Sequence, residues 1–524
     1  MRPPLWQPAE ALSTSEQTVL RRIRRAKLFV FLRLHRHTLF DVAFQEELAT
    51  LYEDRPKGQP PVPPALLALV TLLQAYTGAG DAEAVEATVM DRRWQLVLDC
   101  LDCADAPFST GTLVAFRERL IAADLDRRLI ERTVEIAART KGFGHAQLRA
   151  ALDSSPLWGA GRVEDTYNLG GHALRKAVGV LARQQGRELA QEAALAGAPL
   201  VGGASLKAAL DCDWDDPAAR TQALGQVLAA LEQVEAHVAQ QPESPAQAAA
   251  QESVGVAQQV VQQDVEERPD GTAVLRQGVA PDRRISVEDP DLRHGRKSRT
   301  QRVDGYKRHV LRDLDSRMIR AVGVTRANAP EARVTPAIQV DLAPQAVTLT
   351  ELHIDRAYLS STLVRERAPE LTIFCKAWPV QQGPHCAKTA FTLDWERGVL
   401  RCPQQVEMPF VPGATVHFPA ATCAACPLRA QCTDSPRGRS VTIHPDERLL
   451  EELRERQATP AGRAALRERV QVEHSLAHIG AWQGDRARYK GQRKNLFDLR
   501  RTAVVENLHV LQGLPDVVDL PHAA

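Results

Sequence analysis

The sequence has no long apolar run. Nowhere in its 524 residues does a stretch approach the roughly 20 uninterrupted apolar positions of a membrane span, so no membrane association is expected. It also has little net charge. Lys and Arg exceed Asp and Glu by one, 66 against 65, so the overall balance announces no nucleic-acid partner and only local clustering can make that case. The first residues, MRPPLWQPAEAL, lack an apolar core followed by a small-residue cleavage site, and a cytoplasmic location is the expectation. A disulfide framework is missing as well. Nine cysteines is an odd number, and five of them lie scattered.

What is present is ordinary for a globular chain: 44% hydrophobic and 25% charged residues. The length exceeds what one compact core supports, so about two to four domains are expected. Residues 1 to 145 read as helical, with apolar positions three and four apart in Ala65–Tyr76 and Leu113–Leu120 and hydroxyls at Ser109 and Thr110 placed as a cap. A short extended run then ends on Asp153. Helical sequence follows from Ala173 to Gln240 and passes into an Ala/Gln/Pro-rich segment, Gln240–Gln251, that reads as an exposed linker. Arg308–Asp315 and Arg317–Thr325 alternate around Asp315-Ser316 as a hairpin does. A helix over Pro330–Val340, a strand over Thr350–Asp355, a helix from Leu359, the apolar run Leu371–Ala377 and two late helices, over about 447–482 and 495–512, complete the order. That order is the one of an RNase H-like fold. The expected fold class is therefore mixed α/β. An RNase H-like catalytic domain is expected over 146–384 and 446–515, and a helical domain over 1–145 can serve DNA binding or assembly, or equally be a packing domain. A helical insertion with its linker spans 173–280, and a cysteine-rich insert spans 385–445.

Three carboxylates fit one chemistry. Cutting a phosphodiester with two divalent ions about 3.5–4 Å apart requires acids at the ends of adjacent strands and on a nearby helix. Asp153 ends the run Ala-Ala-Leu-Asp, and Asp355 ends Leu-His-Ile-Asp; either can equally be a turn or capping residue. Glu473 shares one helical face with Leu466, Val470 and Ala477, where a carboxylate is costly unless it binds a metal or pairs with Arg469 or Arg467. The acidic cluster Asp211-Cys-Asp213-Trp-Asp215-Asp216 precedes Pro217-Ala-Ala and reads as a cap.

Positive charge collects locally. Arg293, Arg296, Lys297 and Lys307 fall in one basic stretch, and Arg486, Arg488, Tyr489, Lys490, Arg493 and Lys494 in another. Such stretches neutralise phosphates, or are simply solvated faces. Cys402, Cys423, Cys426 and Cys432 bring four thiols into 31 residues, the ligand type of a closed structural Zn²⁺ site, with Cys386 or His444 able to replace one. The alternative is a set of reduced thiols. Cys100-x-x-Cys103 has no second pair and reads as core.

The chain resembles bacterial insertion-sequence transposases of the DDE superfamily. The carriers are Leu152-Asp153-Ser-Ser-Pro with Gly161-Arg-Val-Glu-Asp-Thr-Tyr167; Asp289-Pro-Asp-Leu-Arg293-His-Gly-Arg-Lys297 with Asp304-Gly-Tyr-Lys307; Ile354-Asp355-Arg-Ala-Tyr358; Arg469-Val-Gln-Val-Glu473; and Arg486-Ala-Arg-Tyr489-Lys-Gly. The resemblance implies that Asp153, Asp355 and Glu473 bind Mg²⁺ or Mn²⁺ and cut the ends of the protein's own element. It further implies that Arg469 meets DNA, that the N-terminal domain takes part in end binding, and that synapsis needs at least a dimer on double-stranded ends and target, at the bacterial nucleoid. One departure stands out. Leu466 and Gly480 occupy the positions of the Tyr and Lys that flank the last acid in many relatives, with Lys490 and Arg486 the candidates to replace the Lys. Rival readings are a domesticated nuclease or DNA-binding protein that does not transpose, and a zinc-containing regulator without catalysis.

Overall fold

A computed structural model describes residues 2–54, 56–101, 103–139, 146–203, 205–298, 300–380 and 383–514. It is mixed α/β, with 51% helix. Among the described residues no single helix is long and apolar enough to cross a membrane.

The N-terminal part is helical as expected. Helix Thr14–Arg22 starts from a capping box in which Ser13 and Glu16 satisfy each other's free backbone N–H groups. Helix Pro64–Thr77 opens on a proline in its first turn and ends on Gly78 in the left-handed region. Every residue from Pro64 to Ala75 is buried, because this helix packs among its neighbours and against the late helix Gln492–Gln512. That late helix is itself buried continuously from Phe497 to Leu508. The N-terminal helices and the C-terminal helix thus share one core, which includes Leu69, Leu73, Val504 and Ile319.

The central sheet is built from six strands: β1 (Gln147–Trp158), β2 (Arg293–Arg296), β3 (Arg302–Asp313), β4 (Ile319–Arg326), β5 (Thr348–Ile354) and β6 (Thr372–Cys375). The order is β2-β3-β1-β5-β6, with β4 sharing the outer edge of β3 beside β2. β1 runs antiparallel to β3 and parallel to β5, and β5 runs parallel to β6. The free edge of β4 is covered by Asn507, whose amide accepts from the N–H of Ile319 at 2.7 Å and donates to its carbonyl at 2.9 Å. A side chain there takes the place of a neighbouring strand.

Three long helices, Thr166–Gln185, Pro217–Ala239 and Pro245–Asp264, and the short helices Leu189–Leu195 and Leu206–Leu210 share a core of their own, including Leu174, Val178, Val234 and Val254. The expected linker at Gln240–Gln251 is corrected by this finding. Ser244 accepts from the N–H of Gln247, Pro245 sits at the first position, and Ala250, Val254 and Ala257 face the core. Alanine and glutamine are good helix formers, and small side chains here let two helices approach closely. Asp216 caps Pro217–Ala239 by accepting from the N–H groups of Ala218 and Ala219, as its position before the proline suggested.

Beyond β6 the chain forms small sheets. Thr392–Asp394, Val399–Arg401 and Glu407–Pro409 make one, and Thr415–His417 with Ser440–Thr442 another, over a core of Phe391, Leu400, Phe418 and Ile443.

Candidate active site

Asp153 lies inside β1 rather than at its end, opposite Val310 of β3, because the strand continues to Trp158. Asp355 follows β5 directly and accepts from the N–H of Ala357 at 2.7 Å, capping the short turn Arg356–Tyr358. Since β1 and β5 are adjacent and parallel, the two acids come to the same sheet margin. Glu473 stands in the first turn of helix Val470–Gln483. Here the expectation needs correcting. The predicted continuous helix is broken, with Leu466 in the preceding helix Pro460–Glu468, and Val472, Leu476 and Ile479 form the buried face. Glu473, Val470 and Ala477 are on the open side, so Glu473 is not a carboxylate sunk in an apolar stripe.

The three acids border one open cavity of about 770 Å³, whose rim includes Arg296, Lys297, Lys307, Arg308, Glu331 and Arg469. Arg469 ties the acids together: one guanidinium nitrogen donates to Asp153, and the other to Glu473 at 2.9 Å. Burial pushes the Asp153 carboxyl up to about 6; Arg469 and the N–H of Ser154 pull the other way, while Asp355 and Glu473 add to the rise. Among the described residues no three His, Cys, Asp or Glu side chains stand close enough to share an ion. The donor set of three carboxylates, all hard oxygen ligands, nevertheless suits a divalent cation such as Mg²⁺.

Beneath the acids lies a layer that the sequence reading did not single out. The Ser154 hydroxyl donates to Glu331 at 3.0 Å, and the buried Tyr358 hydroxyl meets His309 Nδ1 at 2.8 Å. The other nitrogen of His309 meets the Thr325 hydroxyl at 2.9 Å, and burial lowers this imidazole to about 3, so it is neutral. Arg356 donates to the carbonyls of Lys376 and Ala377, fixing the turn that carries Asp355 against the end of β6. The signal for part of this layer was present, since Ser154 and Tyr358 belong to the motifs of the two acids.

The basic residues divide. Arg296, Lys297, Lys307 and Arg469 line the cavity; Arg486, Arg488, Tyr489, Lys490, Arg493 and Lys494 do not. Arg293 was expected to meet DNA, yet it is buried in an ion pair with Asp282 at 2.8 Å. Arg493 donates to Asp126 and to the carbonyl of Ile121, joining the late helix to the N-terminal helices. Tyr489 lies under the guanidinium groups of Arg117 and Arg501. Lys490 pairs with Glu288 at 2.7 Å, and Arg486 donates to the carbonyl of Gly159. The space beside Gly480 belongs to Arg308: a side chain at 480 would bring its Cβ within 3.1 Å of that guanidinium. Arg308 donates to Ser155, Gln483 and the carbonyl of Gly484, so it is held rigidly at the cavity wall.

Cys386, Cys402, Cys423, Cys426 and Cys432 line a second cavity, of about 370 Å³. Burial and contact with the Cys386 thiol push the Cys432 thiol up to about 11, and Cys423 sulfur accepts from the N–H of Arg439 at 3.5 Å. His444 is not on this lining. Cys100 is buried in the N-terminal core as expected, whereas Cys103 is exposed.

Two families match the sequence. Transposase DDE domain matches residues 401–512, the stretch that holds Arg469 and Glu473, and Transposase domain (DUF772) matches residues 17–119. Both matches support an insertion-sequence DDE transposase. No curated protein and no solved structure matches it. Asp153 and Asp355 lie outside both matched stretches, so the geometry of the cavity alone joins them to Glu473.

Proposed function

We propose that the chain is a metal-dependent DNA transposase that cleaves the ends of its element and transfers them to target DNA, through an RNase H-like domain. Its site would be Asp153, Asp355 and Glu473. The observation that carries this reading is their convergence. Three acids, each separated from the next by more than a hundred residues, border one open cavity with a basic rim. Mg²⁺ or Mn²⁺ held by these carboxylates would activate a water or 3′-hydroxyl and stabilise the leaving oxygen. Arg469 holds Asp153 and Glu473 in place and offsets their mutual repulsion. Arg296, Lys297 and Lys307 at the rim are placed to neutralise phosphates without reading bases. Joining two ends in one reaction calls for at least a dimer.

The test is purified protein on a labelled duplex carrying DNA that flanks the gene, with Mg²⁺ added or left out. Mg²⁺-dependent nicking at a defined end is the expected result. Binding without nicking would favour a domesticated DNA-binding protein.

The cysteine cavity is proposed as a structural Zn²⁺ site formed by Cys402, Cys423, Cys426 and Cys432, with Cys386 able to take one place. Support comes from five thiols on one small lining and from Arg439, whose backbone N–H already points at the Cys423 sulfur. Purified protein should contain about one zinc per chain, the number a four-thiolate site holds. Cys423→Ser should lose it and lower the melting temperature by several degrees. Metal-free protein with an unchanged melting temperature would remove the site.

A further inference from the structure

The N-terminal helices carry a feature that the active-site reading does not use. Around the end of helix Thr14–Arg22 and the start of helix Arg92–Leu98 lies a groove of about 610 Å³. Arg22, Arg24, Arg25, Arg92 and Arg93 line it, and no carboxylate does. Two acids adjacent in sequence to lining residues are already engaged: Asp91 pairs with Arg93 at 2.6 Å, and Glu16 is buried in its pair with Arg33 at 2.5 Å. Among the described residues, Arg22, Arg24, Arg25 and Arg92 form no ion pair, and all four are exposed.

The local sequence explains why. In Arg21-Arg-Ile-Arg-Arg25, Ile23 is buried and anchors the segment, which turns the flanking arginines outward. Ser15, Thr18 and Arg22 recur at three- and four-residue steps, so two hydroxyls share the groove face with the first guanidinium. Four cations that line one groove and form no ion pair among the described residues repel one another in the free protein. A polyanion relieves that repulsion.

We propose that this groove binds the sugar-phosphate backbone of duplex DNA, as a second contact surface apart from the cavity of the three acids. Guanidinium forks match phosphate oxygens in pairs, and the Ser15 hydroxyl adds a neutral donor, while that of Thr18 already donates to the carbonyl of Thr14. No base-reading geometry is assigned, so the contact fixes position and affinity and not sequence. A lipid surface fits poorly, since the apolar residues of the lining, Val19 and Ile23, are buried. The proposal rests on the reading that the chain acts on DNA, but not on which acids cut it.

The test is fluorescence anisotropy with the full chain and a labelled 30-base-pair duplex, without added Mg²⁺, over a range of salt. Arg22→Gln, Arg24→Gln, Arg25→Gln and Arg92→Gln are combined in one variant. Each phosphate contact contributes about 0.9 to the slope of log affinity against log salt, so four lost contacts flatten it by roughly 3 to 4. Affinity at low salt should fall at least tenfold, with the melting temperature unchanged. The matching four-lysine variant should restore most of the slope. An unchanged slope and affinity in the glutamine variant would overturn the proposal. So would loss of polyglutamate binding with DNA binding intact, which would assign the groove to an acidic polypeptide. If the wild type binds no duplex at all, the transposase reading fails first, and that result is distinguishable from either.

Discussion

Replacing Asp153, Asp355 or Glu473 by its amide is expected to cut Mg²⁺-dependent nicking by about a thousandfold or more, while duplex affinity changes little. The size follows from the role. A ligand carboxylate contributes several kcal/mol of charge stabilisation in the transition state, and about 4 kcal/mol corresponds to a thousandfold. The amides keep shape and volume, so the fold is retained. Duplex affinity comes mostly from the basic residues, which these changes leave in place. Glu331→Gln is the informative control. Glu331 also lines the cavity, but it accepts from Ser154 and lies 3.7 Å from Lys307. Its loss should cost far less than that of the three acids. Near-normal nicking by any one of the three variants would remove that residue from the site. A Glu331→Gln loss as large as the others would add a fourth acid.

The parts of this site that could be read in the sequence were those set by local chemistry. A strand ending on Asp355 and a hairpin around Asp315-Ser316 were legible because alternation and turn residues lie within a few positions of each other. Asp153 was singled out at a strand end, but its strand runs five residues further, since Ser154 to Trp158 pair with β3, and only a partner strand decides where a strand ends. Glu473 was singled out for a reason the structure does not support. The helix breaks at Arg469, which rotates the apolar face to Val472, Leu476 and Ile479 and leaves the glutamate on the cavity side. The basic stretches were the least legible. Sequence shows how many arginines cluster but not which way each points. Arg293 and Arg493 are spent on Asp282 and Asp126, acids 11 and 367 residues away. The groove of Arg22, Arg24, Arg25 and Arg92 forms only when two helix termini meet, and no single window contains it.

Asp153→Asn should also stabilise the metal-free protein at pH 8, by about 1–3 kcal/mol, and have little effect near pH 4. The sign follows from the raised carboxyl. Folding lifts Asp153 to about 6, above the roughly 3.9 of an unfolded aspartate, so the folded state holds the proton more tightly. Its contribution is present below the unfolded value and is lost as pH rises towards 6. Above that, the folded protein carries the full cost of an ionised, mostly buried carboxylate. Asparagine avoids that cost and still accepts the Ser154 N–H. It gives up the ion pair with Arg469, but burial outweighs that pair in setting the direction of the shift. Urea midpoints of wild type and variant, compared at pH 8 and pH 4, read the difference directly. A variant less stable at pH 8 would mean that Arg469 more than compensates burial, and that Asp153 is held for structure. A variant more stable but inactive is the signature of a residue kept at a cost to the fold, as a site that must bind a cation requires.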